Sequence, residues 1–94
     1  MAAATIVSKS YGYRAHTGTE ATAVTTATVQ LKGIIVWGTA ADTVVVKDTA
    51  GVTIAKFTIA TTAKAEYIPF WDSFIDGLNV TLSASTVEAH FYIR

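Results

Sequence analysis

The sequence predicts an all-β domain, a small antiparallel β-sandwich or barrel of about seven to eight strands. Three observations predict it. From Leu31 onward, Val, Ile, Thr and aromatic residues recur in short runs, the composition that suits a pleated, half-buried surface. Clusters of Gly, Asp, Ser, Thr and Ala interrupt these runs roughly every ten residues, the spacing of a small all-β domain. No stretch sustains the 3.6-residue apolar period of a helix, and Ala60 to Lys64 offers one turn at most.

Residues 1–30 differ from the rest. They are rich in Ala and Thr and poor in large aliphatics. Restricted χ1 makes Thr-rich sequence a poor helix. One or two extended segments are expected here, with a turn near Thr17-Gly18. They either add strands to the main sheet or reach out as an arm, leaving residues 31–94 as the body of the fold.

Leu31 to Trp37 is apolar on both phases and reads as a central or interface strand. Thr43 to Asp48 and Val52 to Ile59 flank Asp48-Thr49-Ala50-Gly51, a turn cluster that makes them a hairpin. Val52/Ile54 and Phe57/Ile59 fall on opposite phases, so a bulge is expected near Ala55-Lys56. Ala60 to Ala65 reads as a loop. Glu66 to Trp71 is a strand that Pro69, the single proline, either places at an edge or ends. Asp72 to Gly77 reads as a turn. Leu78, Val80 and Leu82 then alternate with polar residues, and so do Val87, Ala89, Phe91 and Ile93. Both read as half-buried antiparallel strands with those side chains inward.

Composition bounds the partners. In 94 residues, seven Lys+Arg balance seven Asp+Glu, and charged residues reach only 15%. Six of these cations stand singly at Lys9, Arg14, Lys32, Lys47, Lys56 and Lys64, not as the basic face that phosphate neutralisation requires, so nucleic acid is not expected. So few charges on so small a domain fit a homo-oligomer or a chain packed on a partner. No apolar run approaches the ~18 residues of a membrane-spanning helix, and residues 1–5 lack the basic and apolar segments of a signal peptide. Synthesis in the cytoplasm and no membrane are the expectations. The chain has no Cys, which removes disulfides and thiolate metal sites.

Candidate chemistry is sparse. His16 and His90 are the two histidines, and a metal would need carboxylates to complete its ligand set. Asp72 to Gly77 echoes the start of a calcium loop, but Phe74 and Ser83 occupy the third and twelfth places, where ligands are required. Ser73, His90 and Asp48 can be assembled into a triad on paper, without a nucleophile elbow to support it. Asn79-Val80-Thr81 matches a glycosylation sequon inside an expected strand. No catalytic residue, cofactor site or metal site is assigned.

The aromatics carry more information. Trp37, Tyr67, Phe70, Trp71, Phe74, Phe91 and Tyr92 can build a core. Tyr11 and Tyr13 share one phase of an extended segment with few other large residues, and isolated aromatics of that kind need a pocket, in this chain or in a partner. Tyr11, Tyr13, Arg14 and Trp71 are the expected partner contacts. Trp37 or Trp71, if exposed beside polar groups, could instead present a platform to a sugar.

The run LKGIIVWGTAADTVVVKDTAGVTIAKFTIATT, then EYIPF, then FIDGLNVTLSASTVEAHFYI, resembles small virion proteins of tailed bacteriophages. The shared pattern is an apolar strand, a Gly/Thr/Ala turn, a VxVKD…G hairpin, GLxVTLS and a closing aromatic strand. It covers residues 31–93; residues 1–30 fall outside it. The resemblance implies a capsid decoration (cement) protein, β-rich, without catalysis or cofactor. Such a protein resides in the virion, often as a trimer, against the major capsid protein or another virion protein. A head–tail connector or tail component, and a carbohydrate-binding β-sandwich module, are the alternatives.

Overall fold

The computed structural model describes residues 3–9, 12–16, 18–38, 42–59, 64–84 and 87–93. Its elements are all strands: β1 (Thr5–Lys9), β2 (Gly12–His16), β3 (Thr22–Gly38), β4 (Thr43–Lys47), β5 (Thr53–Thr58), β6 (Lys64–Leu82) and β7 (Glu88–Ile93). They form one antiparallel hydrogen-bonded sheet in the order β1-β2-β7-β3-β6-β4-β5.

That sheet cannot be flat. β3 has 17 residues and β6 has 19, so each would span roughly 55–65 Å if straight. The molecule measures 32 × 27 × 25 Å. Both strands must therefore bend back, and the pairing shows where. β7 pairs with β3 only over Leu31–Trp37, while β4 pairs with β6 only over Asn79–Leu82. One half of the long β3–β6 ladder thus carries β7, β2 and β1, and the other half carries β4 and β5. The result is two layers that share one bent strand pair, a β-sandwich continuous in its hydrogen bonding.

The corner between the layers is a bulge. Leu31 pairs with Ser73 and Gly33 with Pro69, so one β3 residue, Lys32, faces three on β6, Phe70 to Asp72. Trp71 and Asp72 both lie at φ 57°, the left-handed region that turns a strand sharply. Two earlier register shifts place extra residues on β3, so the two extra residues of β6 restore the register beyond the corner.

The expected turn over Asp72 to Gly77 is corrected here. The residues do turn, with Gly77 at φ 84° as well, yet the chain does not reverse: β6 runs on, held by β3 along its length. Pro69 does not end the strand either. It pairs with Gly33 on one side, and among the described residues no strand pairs with it on the other. A residue without an N–H is tolerated there.

The β4–β5 hairpin forms as the local chemistry dictates. The Gly51 N–H donates to the Asp48 carbonyl (3.1 Å), and Gly51 sits at φ 87°. Asp48 Oδ1 accepts from the Val52 N–H at 2.9 Å, the side-chain bond that favours Asp at this place in a turn. Asp48→Ala is expected to cost about 1 kcal/mol and to lower the melting temperature by roughly 4–8 °C. Asp48→Asn, which keeps the acceptor, should retain most of that stability in the same melt. The bulge lies at Ile54, the extra β5 residue between Val46↔Ala55 and Lys47↔Thr53, one residue before the expected place.

The core lies between the layers. Ile34, Val36, Ala89 and Phe91 come from one, and Val44, Val46, Leu78, Val80 and Leu82 from the other, all buried. Two contacts close the sandwich across its layers. The Phe57 ring of β5 meets the Phe70 ring of β6 edge-on, with centroids 6.4 Å apart. Gly38 lies so close to Ile59 that a Cβ there would stand 2.8 Å from its Cδ1. Of the aromatics expected in the core, Phe91 is fully buried and Phe70 partly, whereas Trp37, Tyr67, Trp71 and Phe74 are exposed. The correction has a plain cause: those four occupy the outward phase or the corner, and aliphatic side chains fill the interior.

The strands β1 and β2 and the first part of β3 belong to the same sheet. β2 lies between β1 and β7. Ala4, Ala15, Val24 and Val29 are buried, and the Ala4 N–H donates to Thr22 Oγ1 at 2.8 Å. A boundary at residue 30 falls inside β3.

Candidate functional site

Alternation along β3, β6 and β7 sets the outer face of the first layer. Register places Glu88, Trp37 and Ala65 in one row, His90, Ile35 and Tyr67 in the next, and Tyr92, Gly33 and Pro69 in a third. Tyr67 lies across Gly33, where any Cβ would collide with its ring, and its hydroxyl donates to the Lys32 carbonyl at 3.3 Å. Glycine at 33 thus lets an aromatic ring lie flat on the sheet at the approach to the corner.

The corner itself carries Trp71, which is 83% exposed. Beyond it, Phe74 points outward from the second layer at 76% exposure, while its neighbour Ile75 is buried. With Tyr67 at 54%, three aromatic side chains of β6 stand in solvent between residues 67 and 74. Left-handed backbone costs about 1–2 kcal/mol per non-glycine residue, and a bulky side chain there is unusual. The fold sustains that cost at Trp71 and Asp72, which puts a large ring on the outside of the bend.

Polar groups around the rings are bonded within the chain. Ser73 Oγ donates to the Phe70 carbonyl (2.6 Å), Gln30 Nε2 to the Asp72 carbonyl (3.5 Å), and Thr28 Oγ1 to Asp76 Oδ1 (3.0 Å). Those bonds brace the bend. The Ser73 hydroxyl, still an acceptor, and the exposed Asp76 carboxylate lie in the same stretch as the rings.

The other sequence candidates are distributed over the fold. Tyr13 pairs with Phe91 in register and packs half-buried against the core. Arg14, its neighbour in β2, pairs with His90 in register. Tyr11 lies outside the described residues. Trp71 is therefore separated from the β2 contacts by β7 and β3. His90 Nε2 lies 3.2 Å from Glu88 Oε1, each side chain about one-third exposed. Register sets His16 opposite Glu88. Ser73, His90 and Asp48 each engage a local partner, the Phe70 carbonyl, Glu88 and the Val52 N–H, and are not brought together. Among the described residues no group of three metal-ligating side chains is present, and no helix is long and apolar enough to cross a membrane. Asn79 sits inside β6, paired with Ala23 and Lys47.

Sequence reasoning named Trp71 but missed its companions Tyr67 and Phe74 as surface. The signal was the Asp72–Gly77 turn chemistry just after Trp71, which marks where the strand bends. No protein-family model, no curated protein and no solved structure matches this chain.

Proposed function

We propose that this chain is a non-catalytic structural protein of a tailed-bacteriophage virion, made in the host cytoplasm and incorporated as a decoration or cement protein of the capsid. It works as a homo-oligomer, a trimer as the resemblance of residues 31–93 implies, and contacts the major capsid protein or another virion protein. The observation that carries this reading is the corner: a small sandwich whose backbone is strained to hold Trp71 outside. A chain that keeps large rings in water on so small a body is built to be covered. The low charge and the strand-and-turn style of residues 31–93 support the same reading.

Fractionation of the particles produced with this chain, followed by copy counting, tests it. Hundreds of copies per head are expected. About six or twelve copies would place the protein at the head–tail connector or in the tail, following the symmetry of those parts. Its recovery only in the soluble lysate would remove the virion reading.

A further inference from the structure

We draw no further inference here: the strongest candidate, the exposed side chains of Tyr67, Trp71 and Phe74 at the β6 corner, carries nothing further because nothing in the structure shows what covers them.

Discussion

Replacing Phe91 by Ala is expected to destabilise the protein by about 3–5 kcal/mol, the cost of removing a large buried ring and leaving a cavity. Phe91 is 1% exposed, the bulkiest of the fully buried side chains, and it pairs with Ile34 on one side and Tyr13 on the other. It therefore supports the centre of the first layer. In a domain this small the loss is a large part of the total stability, and the melting temperature should drop by more than about 12 °C. A thermal melt followed by circular dichroism reads it directly. A melt within a degree or two of the parent would mean that β7 presents its other phase to the core.

Removing residues 1–14 is expected to have a still larger effect. The deletion strips β1 and most of β2, and β7 loses the strand that pairs with it from Gly12 to His16. Ala4 leaves the core, Tyr13 and Ile6 no longer pack on it, and the flank of Phe91 is opened to water. The same deletion also removes the Ala4–Thr22 hydrogen bond that joins β1 to β3. The truncated chain should lose its cooperative melt and the dispersion of its amide resonances. If it instead keeps both, with only its assembly weakened, then β1 and β2 act as an arm laid on a body that folds without them.

How far the fold was legible follows from how local each feature is. The β4–β5 hairpin was legible because Asp48 and Gly51 specify their turn within four residues, through bonds made inside it. The inward phases of Leu78, Val80, Leu82, Val87 and Phe91 were legible because polar residues mark the other face, and all five are buried. Ile93 is half-buried, packed against that core.

The corner was not legible in the same way. Pro69 and Asp72–Gly77 announce a change of direction, but whether a strand reverses or merely bends depends on what it pairs with. Here β3 follows β6 through the bend, a pairing of residues far apart in sequence. Alternation also slips by one across the corner, where Tyr67 and Phe74, an odd number of residues apart, both face outward, so the phase of one cannot be carried across to the other. For the same reason Trp71 could be named as a contact while its neighbours were assigned to the core. The placement of β2 beside β7 joins opposite ends of the chain, and Ala/Thr-rich sequence holds no local sign of it.

On the proposed virion reading, the corner around Trp71 is covered when the protein sits in its particle. Oxidative footprinting compares that surface in two states, the isolated chain and the chain in intact particles. Trp71, Tyr67 and Phe74 should react readily in isolation, as their exposure demands, and Trp71 should be strongly protected in the particle. Equal reactivity of Trp71 in both states, with protection elsewhere on the sheet, would contradict this account.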